Sequence, residues 1–333
     1  MEASASGPAP VDLARVGAED VRLMTKVARL YHEQGVRQPE IAERLNISQP
    51  RVSRLLKKAV AVGIVRTTVV TPRGVYAELE EDLEQLYGLR EVVVADTSGV
   101  DDEQGLAPAL GAVAANYLET TLIAGERIGI SSWSSVLLAT VESMRPRHGS
   151  AAAEVVQVLG GSGQASAQAH ATRLTGRLAQ LTGATAIYLP APGLVAAAST
   201  RHALVEDGAI AAALDACGRL SVLLAGIGSL TPSDLLRASG NAIGARDEAA
   251  LRRLGAVGDV CMRFFDDAGR PVTGDLDDRV VGIDADTLRR IPRRIGVAGG
   301  SRKHPALRAA LRGAWINVLI TDNRSAEYLR DNA

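Results

Sequence analysis

The chain has 333 residues, 47% hydrophobic and 23% charged, which is enough length for about two domains and enough apolar material to bury a core in each. That balance excludes a natively disordered chain. The formal net charge is -1, from 37 Lys and Arg against 38 Asp and Glu, and such a neutral total argues at first sight against a nucleic-acid partner.

Residues 1–20 are rich in Ala, Pro and Gly and carry Glu2, Asp12, Glu19 and Asp20. They lack the basic start and apolar centre of a signal peptide, so a loose tail is expected. No apolar run reaches the roughly 18 residues of a membrane span. A cytoplasmic protein without a membrane partner is therefore expected. Cys217 and Cys261 are far apart and form no CxxC, which excludes a disulfide scaffold and a zinc ribbon and leaves two buried, reduced thiols as the expectation.

The charge is unevenly placed. Residues 21–73 hold eleven basic and three acidic residues, a local +8 that leaves -9 for the remainder. A compact basic segment inside an acidic chain raises the question of nucleic acid. Leu23, Val27, Leu30 and Tyr31 fall on one helical face, and Gly35 ends that helix. Gln38–Leu45 reads as a short helix with Pro39 in its first turn and Ile41, Ala42 and Leu45 inward. Asn46, Ile47 and Ser48 read as a tight turn in which Ser48 can cap the next helix.

That next helix runs to about Val62, with Val52, Leu55, Leu56 and Ala59 inward, and Gly63 stops it. Ile64–Val70 reads as a β wing. A short helix, a three-residue turn and a second helix with a basic outer face are the parts of a helix-turn-helix, expected within residues 21–71. Gln49, Arg51, Ser53 and Arg54 are the candidates for reading base edges, because Arg pairs with guanine and Gln with adenine in the major groove. Lys57, Lys58 and Arg66 are assigned to phosphate. Gln38 and Pro50, in the opening turns of the two helices, complete the DNA-facing set. Operator DNA is the expected partner.

Thr71-Pro72-Arg73-Gly74 breaks the pattern, and residues 72–88 read as a linker helix with a Leu79, Leu83, Leu86 stripe. The stripe is available for packing on the second domain or on a second copy of the chain. From residue 89 to 333 strand-like runs alternate with helices. The runs are Glu91–Ala95, Arg127–Ile130, Glu154–Leu159, Thr185–Leu189, Leu220–Gly226, Val260–Phe265, Val280–Ile283, Arg294–Ala298 and Asn317–Thr321. Helices are expected between most of them, among them Leu106–Leu122, Trp133–Met144, Ala167–Leu181, Glu248–Leu254, Lys303–Leu311 and Ser325–Leu329. Such alternation predicts an α/β fold, a mostly parallel sheet covered on both faces.

Small polar loops follow four of these strands: Ser131–Ser135, with Trp133 inside it, Gly160–Gly163, Gly226–Ser229 and Gly299–Lys303. Ligands of open α/β sheets sit at the carboxyl ends of the strands, and helix N-termini there attract anions. With the serine hydroxyls and the Lys303 charge, the set favours a phosphorylated small molecule. Trp133 suits either a sugar face or the core. The P-loop, dinucleotide and nucleophile-elbow patterns are all absent. His170, His202 and His304 are dispersed hydrogen-bonding residues, so no metal site and no cofactor is expected.

Several stretches, in this order, resemble the SorC family of bacterial sugar-binding transcriptional regulators, which is grouped with DeoR-type effector domains. They are Gln38–Ala59 with Gly63–Val65, Ile128–Trp133, Leu224–Ser229, Gly255–Asp259 with Phe265-Asp266, Arg279–Ile283, Val297–Gly300 with Lys303, and Ala310–Gly313. The resemblance spans about residues 20–330. It implies a Rossmann-like α/β effector domain similar to sugar-phosphate isomerases that acts as a sensor. It also implies a phosphorylated sugar or polyol as effector, and a homodimer or homotetramer.

By position the resemblance assigns the effector contacts to Ser131, Ser132, Trp133, Ser134, Ser135, Gln168, Asp259 and Lys303. Gly160, Gly161 and Gly228 join them from the strand-end loops. The sequence departs from the family in having Ser-Ser-Trp-Ser-Ser where many members carry a glycine- and threonine-rich loop. The rival reading is a sugar-phosphate isomerase or aldolase-like enzyme with an appended DNA-binding domain. Lys303 would be its amine and Asp259 or Asp266 its base, but no further acid–base pair stands at a recognisable spacing. No catalytic residue is therefore expected.

Overall fold

The computed structural model describes residues 18–66, 72, 74–100, 103–146, 149, 151–161, 165–231 and 243–333; the side chains of residues 18, 19, 103, 104 and 165–171 lie outside that description. The N-terminal tail up to residue 17, the outer part of the expected wing (67–70), Arg73 and the Ser162-Gly163 end of one loop likewise lie outside the described residues. The chain divides into two compact units, residues 1–70 and 71–333.

The first unit is three helices: α1 (Ala18–His32), α2 (Gln38–Leu45) and α3 (Gln49–Ala61). Their core is Met24, Val27 and Ala28 from α1, Ile41 and Ala42 from α2, and Val52, Leu55, Leu56 and Ala59 from α3. The buried face of α1 is therefore turned from the expected one: Met24 is fully buried, whereas Tyr31 is 39% exposed and meets His32 edge-on. Small Ala28, Ala42 and Ala59 at the centre let the helices approach closely.

Asn46, at φ 51, ends α2 in the left-handed conformation that Asn tolerates. Ser48 occupies the cap position of α3, but by its backbone: its carbonyl accepts from Arg51 and Val52 N–H at 2.9 and 3.1 Å, and its hydroxyl makes no cap bond. Ile64, Val65 and Arg66 form no strand; Val65 N–H folds back to the Ala59 carbonyl at 3.0 Å.

The second unit is a seven-stranded, wholly parallel sheet in the order β1-β10-β9-β5-β2-β3-β4 with a three-stranded antiparallel flap, β6-β7-β8. The sheet strands are β1 (Glu91–Ala95), β2 (Arg127–Ile130), β3 (Glu154–Gln157), β4 (Thr185–Ile187), β5 (Val222–Gly226), β9 (Arg293–Val297) and β10 (Val318–Asp322). The flap strands are β6 (Gly228–Ser229), β7 (Ala256–Val260) and β8 (Arg263–Asp266).

Side chains alternate across the sheet, as a strand requires. In β5, Val222 and Leu224 join a core with α5 (Glu103–Thr121), α6 (Ser135–Ser143) and α7 (Ala165–Thr182). Leu223 and Ala225 join the opposite core. That core also receives α4 (Ala77–Tyr87), α9 (Gly208–Cys217), α11 (Ala285–Arg290), α12 (His304–Arg312) and α13 (Asn323–Asp331). Helices α8 (Ala198–Val205) and α10 (Ala245–Arg253) complete the α-helices among the described residues, with short 3-10 turns at Asp277–Arg279 and Ser301–Lys303. Both cysteines are free and buried in the second core.

Two expectations are corrected. Val260–Phe265 is not one strand but a hairpin, reversed at Cys261 and Met262, both with positive φ of 55 and 58. Val280–Ile283 lies outside the main sheet and makes only isolated bridges, Val280 to Leu194 and Gly282 to Leu159. Helices α8, α9 and α11 lie between strand runs but are not among the helices singled out from the sequence. The α4 stripe packs on its own α/β unit through Leu79 and Leu83, while Leu86 remains 51% exposed.

The fold fixes one location. From β2 the chain steps outward through β3 and β4, then returns to place β5 on the other side of β2 and steps away through β9 and β10. The order reverses between β2 and β5. Neighbouring loops diverge there at the carboxyl ends and open a crevice.

Candidate functional site

In the first unit, α3 presents Gln49, Pro50, Arg51, Arg54, Lys57 and Lys58 as exposed residues, with Ser53 half-buried beside them. Gln38 is half-buried at the start of α2, and Arg66 is exposed beyond α3. The first turn of α3 carries no acidic residue, so its positive dipole end and its basic side chains add in the same direction. The inward apolar stripe of α3 fixes this outer face. A polyanion is its electrostatic complement.

In the second unit, expected loops follow the carboxyl ends of β2 and β5. Ser131 ties the two strands together: its N–H donates to the Leu224 carbonyl at 3.1 Å and its Oγ accepts from Gly226 N–H at 3.4 Å. Ser134 caps α6, accepting from Leu137 N–H at 3.3 Å, and a Cβ on Gly226 would come 2.8 Å from its Oγ. Ser135 is exposed at the first position of α6. The opening N–H groups of a helix have no partner within it, so this end is suited to an anion.

Several of the expected residues are engaged within the protein. Ser132 is buried and donates to the Leu159 carbonyl at 3.3 Å. Trp133 is also buried, among Leu159, Leu251, Met262 and Phe264, and its indole N–H points to the Gly160 carbonyl at 3.4 Å. In this structure it packs as a core residue. Gly160 N–H donates to Val281 and Gly161 N–H to Ala191, at 3.0 and 2.9 Å, so neither is available to an anion. Gln168 lies on α7, and its side chain is outside the described residues.

Gly228, Asp259 and Lys303 do converge. Gly228 pairs with Asp259 across β6 and β7. Burial pushes the Asp259 carboxyl up to about 6, opposed by the Met262 N–H, which it accepts at 2.9 Å, and by the nearby Lys303 charge. A carboxylate that titrates near neutrality beside an ammonium can accept from sugar hydroxyls while the cation meets a phosphate. Asp266 is engaged elsewhere, accepting from Ala268 and Arg270, and the Arg270 side chain holds it below the usual carboxylate range.

One group was missed in the sequence. The Gly299–Lys303 loop is held from below by Asp322, which accepts Gly300 N–H at 2.9 Å, and by Ser325, whose Oγ lies 3.0 Å from the same N–H. Ser325 donates to Asp322 at 2.6 Å, and His304 Nε2 lies 3.2 Å from Ser325 Oγ. Burial holds His304 below its usual value, against the pull of the Asp322 charge. The local signal was present: Asp322, just before a helical run, is a favoured N-cap residue, and its side chain accepts from Ser325 N–H. Its long-range contact with residue 300 was not visible. Among the described residues no cluster of His, Cys, Asp and Glu is arranged to hold a metal, and no helix is long and apolar enough to cross a membrane.

Comparison with known proteins agrees with this division. Residues 28–73 match the MarR family, and residues 74–329 match the family described as "Putative sugar-binding domain". The chain is 33% identical over 311 residues to the Deoxyribonucleoside regulator of Bacillus subtilis (strain 168), covering 93% of this chain and 98% of that one. It is 32% identical to the Sorbitol operon regulator of Klebsiella pneumoniae, covering 94% and 98%. The crystal structure of the full-length sorbitol operon regulator SorC from Klebsiella pneumoniae superposes with a TM-score of 0.70 at 29% identity, covering 94% of this chain and all of that one. The relatives are named as regulators, not enzymes. A basic helix-turn-helix joined to a parallel α/β sheet, matched along nearly its whole length, places this chain in the SorC family of transcriptional regulators with a sugar-binding domain.

Proposed function

We propose that this regulator binds operator DNA through α3 and that a phosphorylated sugar or polyol, seated between the carboxyl ends of β2, β5 and β9, modulates that affinity. The observation that carries the reading is the convergence at the sheet's switch point of the capped α6 N-terminus, the Gly228–Asp259 pair and the Lys303 loop. The helix end and Lys303 suit a phosphate, and Asp259 suits hydroxyl groups. The names of the deoxyribonucleoside and sorbitol regulators point to the same polyhydroxylated chemistry.

The chain works in the cytoplasm as a homodimer or homotetramer, since two recognition helices are needed for two half-sites. Ligand acts as a population shift, effective only through its different affinity for two arrangements. The test is a thermal-shift screen of sugar and polyol phosphates beside their unphosphorylated parents, followed by calorimetry. A ligand at 100 times its Kd adds about 2.7 kcal/mol to stability. Phosphorylated members raise the melting temperature, and Lys303→Ala abolishes the rise. Heat from none of them, or equal binding of the unphosphorylated parents, overturns the reading.

A further inference from the structure

The Lys303 loop and α4 both lean on one helix. At its N-terminal end, α13 is bonded to the loop: Asp322 and Ser325 hold Gly300 N–H, and a Cβ on Gly299 would stand 2.2 Å from Asp322 Oδ2. Gly300 takes φ 90, a conformation strained for any side chain, and its carbonyl accepts Lys303 N–H at 2.9 Å. The path of the loop up to Lys303 is thereby set by α13.

Ser325 has one hydroxyl hydrogen, and it goes to Asp322 at 2.6 Å. Its lone pairs are then left to Gly300 N–H and to His304 Nε2, which must carry the proton. His304 is fixed a second time by stacking on Tyr328 of the same helix, with centroids 4.1 Å apart and planes at 20°.

At its other end, α13 is bonded to α4. The Leu329 carbonyl accepts the Tyr87 hydroxyl at 2.9 Å, and Leu329 and Ala326 share a fully buried core with Leu83. In the chain, α4 is the first helix after the DNA-binding unit.

From these contacts we infer that α13 is a strut between the ligand loop and α4, with Asp322, Ser325 and His304 as positioning residues at one end and the Leu329–Tyr87 bond at the other. A change in the loop moves or loosens α13, and α4 follows. The inference takes the 299–303 loop as part of the ligand site, as proposed above, but its test needs no ligand.

The test is hydrogen–deuterium exchange on the full chain, unliganded. Ser325→Ala is expected to speed exchange about fivefold in residues 299–304 and also in 77–87, leaving α6 at the wild-type rate. Tyr87→Phe is expected to act in the reverse direction, speeding exchange in 323–331 and 299–304. Ser325→Thr, which keeps the hydroxyl, restores wild-type rates at 77–87. Faster exchange at 299–304 with an unchanged 77–87 segment in Ser325→Ala overturns the strut. Should Ser325→Ala fail to fold, Tyr87→Phe decides alone, and wild-type exchange at 299–304 in that variant overturns it equally. A failed ligand screen with intact coupling removes the proposed effector and leaves the strut standing.

Discussion

Asp259 stands opposite Gly228 across the β6–β7 pair, and a Cβ on residue 228 would lie 2.0 Å from the Asp259 Oδ1. Glycine is needed there for space, because φ at 228 is ordinary. Gly228→Ala must push the carboxylate away from Met262 N–H and out of its place beside Lys303. The expected cost is about 1–2 kcal/mol in denaturant unfolding. In an Asp259→Ala background the same change should cost almost nothing. Equal costs in the two backgrounds would mean that the close approach is not what selects glycine.

Asp259 also predicts a pH dependence. Its native value is raised, to about 6, so the native state holds the proton more tightly than the unfolded chain. That contribution is present in full below the unfolded value near 4 and is lost as pH rises through about 6. Asp259→Asn has no such loss. Its stability relative to wild type should climb between pH 4 and 6, by about 2 kcal/mol, and stay level above pH 7. Melting curves of the two proteins from pH 4 to 8 check this; parallel curves refute it.

The sequence made the sheet legible through its apolar runs, which end in glycine or serine at β2, β5 and β9 and in aspartate at β1 and β10, and these five strands fall within two residues of expectation. It misled at Val260–Phe265 because hairpins of this kind are usually marked by Asn or Gly, and here Cys261 and Met262 adopt positive φ inside an apolar run. Helix α9 was hidden for a similar reason. Gly208-Ala-Ile-Ala-Ala-Ala-Leu is apolar nearly all round and shows no period. In the site, the serine loop and Lys303 announced themselves by composition and by their place after a strand, whereas Asp259 came only with the family resemblance. In the Asp322–Ser325–His304 group, Asp322 and Ser325 stand 22 and 25 positions from Gly300, and the contact leaves no local pattern beyond a helix cap.

The exposed side of edge strand β1 carries a further prediction. Its outward N–H groups are capped by side chains of α4: Glu84 accepts from Val92 at 2.9 Å and Glu80 from Val94 at 2.8 Å. Capped edges resist pairing with other chains. Glu80 is raised from its usual value by burial first and by the Glu84 and Glu91 charges, with the Val94 bond opposing them. A raised carboxylate weakens the fold when ionised, so the charge is a cost at pH 7 and the bond is the benefit. Glu80→Gln keeps a carbonyl for Val94 and drops the charge; its melting temperature at pH 7 should equal or exceed wild type. Glu80→Ala loses the bond and should fall by about 1 kcal/mol while aggregating faster on heating. A Gln variant as unstable as the Ala variant would show that charge, not bonding, holds the edge.

The α3 residues separate by what salt does to them. Phosphate contacts release counterions, so each one lost should lower the slope of log K against log salt by about 0.9, whatever the DNA sequence. Lys57 and Lys58, exposed in the second half of α3, are expected to behave this way. Lys57→Ala with Lys58→Ala should weaken selected and scrambled DNA alike and flatten the slope by nearly 2 per protomer. Arg51 and Arg54, exposed in the first half, are expected to reach base edges, as the N-terminal part of a recognition helix does. Arg51→Ala should cost about 1–3 kcal/mol on a selected sequence and little on a scrambled one. Fluorescence anisotropy across a salt series, on DNA selected from a random library and on its scramble, measures both quantities. If Arg51→Ala weakens both DNAs equally and flattens the slope, the arginine binds phosphate and another residue of α3 does the reading.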